Sequence, residues 1–147
     1  MVAILQKVRT LRLFQRSQNL ESPRQIIWWW EKRRIPFNLI VGATGLFVCA
    51  CLVCISLFSE NKFGEAIGLP DPPLFGVIVV FLYGIMANVC FTGGWMAELF
   101  TKEIWKGRTE HFGEIAFALG LLFSVALTLL PAIFCSIVVV WKLLYPR

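Results

Sequence analysis

Three apolar runs, residues 37–58, 74–95 and 115–141, contain no Lys, Arg, Asp, Glu or His. An α-helix rises about 1.5 Å per residue, so roughly 20 apolar residues cross a hydrocarbon core about 30 Å thick. Each run is long enough, and charged or aromatic residues bound each one. The expected fold is therefore all-α: an integral membrane protein with three transmembrane helices. The remaining stretches, 1–36, 59–73, 96–114 and 142–147, are each shorter than the roughly 40 residues below which a chain seldom folds alone. That leaves no room for a separate soluble catalytic domain. Two regions are expected, a cytoplasmic interfacial segment over 1–36 and a three-helix transmembrane region over 37–147.

The basic residues sit unevenly about these runs. Lys7, Arg9, Arg12, Arg16, Arg24, Lys32, Arg33 and Arg34 precede the first, and Lys102, Lys106 and Arg108 lie between the second and third. Only Lys62, Lys142 and Arg147 fall on the opposite side of a three-pass chain. Eleven against three places the N-terminus in the cytoplasm and the C-terminus outside, because loops rich in Lys and Arg stay cytoplasmic. The excess charge suits anionic lipid at the cytoplasmic face; nucleic acid is not an expected partner.

Residues 2–16 read as an amphipathic helix lying in the membrane surface. Ile4, Leu5, Val8 and Leu11 form its apolar stripe, with Lys7, Arg9, Arg12 and Arg16 beside it. The same stretch, free of acids until Glu21, also has the character of a mitochondrial presequence. Ser22-Pro23 is a helix start, with Ser as cap and Pro in the first turn. Trp28, Trp29, Trp30, Lys32, Arg33 and Arg34 are expected as an interface anchor, and Pro36 as the break before the first crossing. Trp141 and Lys142, with Tyr145, anchor the outer end. Gly64, Gly68 and Pro70-Asp71-Pro72-Pro73 make the outer loop a tight turn. The second helix is expected to continue past Trp95, with Glu98 and Lys102 as an i,i+4 pair on a wetted face. Gly107 is a plausible stop and Thr109 a cap for the third helix. No internal repeat links the three runs, which disfavours an inverted-repeat transporter.

No catalytic set is visible, so the chain reads as non-enzymatic, without cofactor. The single histidine, His111, has no serine or cysteine near it in sequence. Glu110-His111-Phe112-Gly113-Glu114 gives one His-x-x-Glu, the reverse of the Glu-x-x-His that recurs in carboxylate metal bundles, and reads as a solvated helix start. Gly42-Ala43-Thr44-Gly45 opens an apolar run rather than following a strand, so it is no phosphate loop. The five cysteines, Cys49, Cys51, Cys54, Cys90 and Cys135, all lie within apolar runs and read as packing residues; no metal site is expected.

Small and polar residues at helical spacing are the expected packing positions. Gly120, Ser124, Thr128, Ala132 and Ser136 recur every four residues in the third run, and Gly84, Asn88 and Thr92 in the second. Small side chains let membrane helices approach closely, and polar ones bond across them. Asn88 is expected to clamp Ser124 or Thr128, with Gly120 packed on the Asn88–Thr92 face and Ala132 and Ser136 left for another chain.

Trp30-Glu31-Lys32-Arg33-Arg34-Ile35-Pro36-Phe37-Asn38, leading into an apolar run, resembles the opening of uncharacterised small bacterial multi-pass membrane proteins. The resemblance covers about a dozen residues; it implies a bacterial inner-membrane setting and no activity. The mitochondrial inner membrane is the alternative. The functional expectation is a membrane subunit acting by helix–helix association, as a homo-oligomer or with other membrane subunits. A small oligomeric pore-forming or membrane-disrupting effector is the alternative.

Overall fold

Ser22 starts the first helix by two routes. Its Oγ accepts from the Gln25 backbone N–H at 3.4 Å, while its own N–H donates to Gln25 Oε1 at 3.5 Å. This reciprocal arrangement satisfies backbone groups that a helix start otherwise leaves open. The computed structural model describes residues 22–69, 73–104 and 112–145. The surface helix expected over 2–16, the Gly107 stop, the Thr109 cap and His111 lie outside these residues.

Three helices make up nearly all of the described chain: α1 over Pro23–Phe63, α2 over Pro73–Ile104 and α3 over Phe112–Leu144. Each is long and apolar enough to cross a membrane. As expected, α2 runs on past Trp95. The break expected at Pro36 does not occur; Pro36 lies inside α1, which is continuous for 41 residues. Proline removes one N–H from the ladder, but the rest of a long helix bridges that gap in an apolar setting where every other backbone group must bond internally. Pro131 is likewise carried inside α3.

Each helix contributes one stretch to each of two compact units. Among the described residues the first comprises 22–38 with 86–104 and 112–123, and the second 39–69 with 73–85 and 124–145. The core of the first is aromatic: Trp29, Trp30, Phe37, Phe91 and Phe117 are all buried, with Ile26 and Ala87 beside them. The second buries Val41, Val48 and Val139 together with the serines Ser56, Ser59 and Ser124.

In the second unit the chain after α1 folds back on the helix it has just left. Gly64 N–H closes the helix end on the Glu60 carbonyl at 2.9 Å, with Gly64 at φ 73°. Ser59 is fully buried; its Oγ donates to the Ser56 carbonyl at 2.9 Å and accepts from Ile67 N–H at 2.8 Å. Gly68, at φ 104°, brings its backbone against Leu52 and Cys135. A Cβ there would lie 3.3 Å from Leu52 Cδ2 and 3.4 Å from Cys135 Sγ. The salt bridge between Lys142 and Glu65 ties the same loop to α3.

Candidate functional site

Side-chain chemistry in the first unit gathers around Trp30 and Glu98. Trp30 is 2% exposed, and its indole N–H donates to Glu98 Oε2 at 2.8 Å. The carboxyl group is fully buried, with Lys102 Nζ 4.0 Å from its other oxygen. Burying such a group without a partner would be costly, so the indole bond is what lets Glu98 sit among aromatic rings. Trp30 lies edge-on to Trp29, Phe91 and Phe117, with centroids 5.6, 5.4 and 5.9 Å away. Edge-to-face pairs of this kind contribute about 0.5–1.5 kcal/mol each beyond the area they bury. Room for the indole comes from Gly94: a Cβ there would sit 2.8 Å from Trp30 Cη2, closer than atoms can approach.

Cations border this core. Arg33 stacks on the Trp29 ring at 3.8 Å and donates to the Trp29 carbonyl at 3.0 Å. Arg34 Nη2 donates to Glu31 Oε1 at 2.7 Å and to Thr92 Oγ1 at 3.1 Å, and its guanidinium lies 5.2 Å from the Phe91 centroid. Lys32 lies over Trp28 at 5.2 Å, and Trp28 itself is 64% exposed. One turn beyond Arg34, Asn38 and Asn88 exchange amide hydrogen bonds of 3.2 and 3.0 Å.

Several expected contacts are replaced by others. Of the three tryptophans, Trp29 and Trp30 turn inward and only Trp28 faces out, because adjacent helix positions differ by about 100°. Glu98 is buried rather than wetted. Asn88 pairs with Asn38, not with Ser124 or Thr128. In the second unit the Tyr83 hydroxyl takes that place, donating to the Ser124 carbonyl at 2.8 Å and lying 2.8 Å from Thr128 Oγ1. Gly120 is exposed, and neither there nor at Gly84 would a Cβ meet a neighbour within 4 Å. Of the ladder, Thr128 does meet another helix, through Tyr83 and at 4.0 Å from the Cβ position of Gly45. Ser136 is exposed, but its hydroxyl is spent on the Ala132 carbonyl at 2.7 Å. Thr92 makes the same i−4 bond to the Asn88 carbonyl at 2.9 Å while receiving Arg34.

At the end of α3, Lys142 bonds Glu65 and lies 5.9 Å from the Phe63 centroid, while Trp141 stacks on Tyr145 with centroids 4.7 Å apart. The ammonium group beside it holds the Glu65 carboxyl below its ordinary pKa. Among the described residues no three His, Cys, Asp or Glu side chains stand close enough to hold a metal ion. No family model, curated protein or solved structure matches this chain.

Proposed function

We propose that this protein is a non-enzymatic membrane subunit that acts through helix–helix association, assembling with itself or serving as an accessory chain in a larger complex. The observation that carries this reading is the division of labour among side chains. Polar groups within the helices are largely spent on one another, as in Trp30–Glu98, Arg34–Thr92 and Tyr83–Ser124. Large apolar side chains face outward along every helix, among them Phe47, Phe81 and Phe134. Only 11–17% of each apolar span is buried within the chain, so lipid or other helices must cover the rest.

The proposal sets the protein in a bacterial inner membrane with its N-terminus cytoplasmic and its C-terminus outside. Lys32, Arg33 and Arg34 then meet anionic lipid at the cytoplasmic face, with residues 2–16 lying on the same surface. Light scattering of the protein in mild detergent, with crosslinking in native membranes, tests association. A monomer in both, with no co-purifying membrane chain, overturns the reading. Reporters fused after Arg16 and after Arg147 should report opposite compartments, and agreement between them would overturn the orientation.

A further inference from the structure

The cations near the start of α1 are not all used alike. Arg33 stacks on Trp29 and bonds its carbonyl, and Arg34 bonds Glu31 and Thr92. Arg24 and Lys32 are exposed, and among the described residues no salt bridge takes up either of them. Between them stands Trp28, 64% exposed, with the Lys32 ammonium 5.2 Å from its ring centroid. Positions 24, 28 and 32 follow one another by about a turn, and with exposed Ile35 they fall within a sector of about 80° on one side of the helix. Because Pro36 does not interrupt α1, this strip leads from the polar end into the apolar crossing along a single helix.

We infer that the strip is a binding site for one phospholipid with a net anionic headgroup, and this rests on the reading above that the basic end of α1 lies among anionic headgroups. Arg24 stands in the first turn of α1, where the partial positive charge of the helix end opposes it and no acidic residue offsets either. A phosphate there answers both the guanidinium and the helix end. Lys32 branches from the backbone about 12 Å further along the axis. Helical side chains lean toward the N-terminus, however, and the Lys32 ammonium lies over Trp28, on the side toward Arg24. Both cations are thus brought toward one headgroup. The indole face steadies the ammonium without supplying an oxygen, which leaves its N–H donors for phosphate oxygens. Glu31, beside Lys32 in sequence, is held by Arg34. Toward the crossing, Ile35 offers apolar contact to the acyl chain. Two cations and a helix end favour a glycerol headgroup and disfavour one that carries its own ammonium.

The test titrates the full chain in detergent micelles with phosphatidylglycerol and, separately, with phosphatidylcholine, and counts bound lipid by native mass spectrometry. The first phosphatidylglycerol should bind about tenfold or more tightly than phosphatidylcholine. Arg24→Gln and Lys32→Gln should each weaken it about fivefold, the effect of one cation at a membrane surface, and leave phosphatidylcholine unchanged. Lys32→Arg should retain it. Lys62→Gln removes the same charge from an exposed position in the last turn of α1 and should change nothing. Tryptophan emission from the buried Trp29 and Trp30 checks that these surface variants fold. Equal losses from Lys62→Gln and Lys32→Gln would show attraction by net charge alone and overturn the site. A preference for phosphatidylglycerol that survives both Arg24→Gln and Lys32→Gln overturns the site and leaves the anionic-lipid contact to other cations. No preference for phosphatidylglycerol overturns both.

Discussion

Gly94→Ala is the sharpest probe of the aromatic core, because it adds one methyl group at the point where Trp30 presses on α2. The new Cβ would stand 2.8 Å from Trp30 Cη2 and 3.0 Å from Cζ3, while ordinary contact begins near 3.4 Å. The indole cannot yield freely, since Trp29, Phe91 and Phe117 pack against it and its N–H is held by Glu98. Overpacking of this kind costs about 1–3 kcal/mol. Moving the ring enough to relieve it also stretches the bond to a buried carboxyl, at about 1–3 kcal/mol. Alanine returns about 1 kcal/mol through its better helix propensity. The net expectation is a loss of about 3 kcal/mol. The neighbouring Gly93→Ala is the control, because a Cβ there meets nothing within 4 Å and only the propensity gain applies. Unfolding of both variants by sodium dodecyl sulfate in mixed micelles, followed by tryptophan emission, gives the comparison. Equal stability of the two variants would refute the packing of Trp30 against Gly94.

Trp30→Phe keeps most of the ring contacts and deletes the donor to Glu98, so it should lose about 1–3 kcal/mol in the same titration; Glu98→Gln, which keeps an acceptor, should lose less. Gly68→Ala places a side chain at φ 104° against Leu52 and Cys135, and should cost about 1–2 kcal/mol and open the loop to added protease. The Glu65 carboxyl titrates below its ordinary 4.5 because Lys142 bonds and attracts it. A pKa lowered on folding contributes stability above the ordinary value, and that contribution is lost as pH falls through the lowered value. Lys142→Ala should return Glu65 to the ordinary range, as read by carbon NMR of the labelled carboxyl; an unchanged titration would remove Lys142 as the cause.

Hydropathy and helix-start rules made the three helices legible, because length, charge exclusion and the Ser22-Pro23 cap are local properties of the chain. The contacts within the units were not local and followed a different logic. A four-residue ladder of small residues suggested where helices approach, yet Gly120 and Gly84 have open space beside them. Gly94, outside that ladder, is where a tryptophan closes on the backbone. A small residue matters where a large one on another helix meets it, and spacing along one helix does not carry that information. Hydroxyl groups differ among themselves: Ser136 bonds the carbonyl four residues back, which satisfies it without a neighbour, whereas Thr92 and Thr128 make the same bond and also meet Arg34 and Tyr83. The signal available for Glu98 was its place on a helix that continues beyond an apolar run, three residues from Trp95. The position of its partner Trp30, 68 residues away, was not readable.

These polar pairs do more for the first unit than add stability, because they set its register. Apolar packing between membrane helices tolerates sliding, since lipid tails are as apolar as the side chains they replace. On α1 the partners are Trp30, Arg34 and Asn38, spaced one turn apart; on α2 they are Glu98, Thr92 and Asn88. A slip of α1 by one turn would break all three pairings at once and change the partner of every polar group, so the pairs add to the register preference of the rings around them. Polar contacts that fix register are the best-attested use of buried polar groups. Trp30→Phe, Thr92→Val and Asn38→Leu should therefore each leave α1 and α2 in a single register, while the triple variant should not. Paired cysteines on the two helices, crosslinked in membranes, should link at one level in each single variant and at neighbouring levels in the triple. A single level in the triple variant would mean that the aromatic rings alone hold the register, and that Glu98 is tolerated by the core rather than used by it.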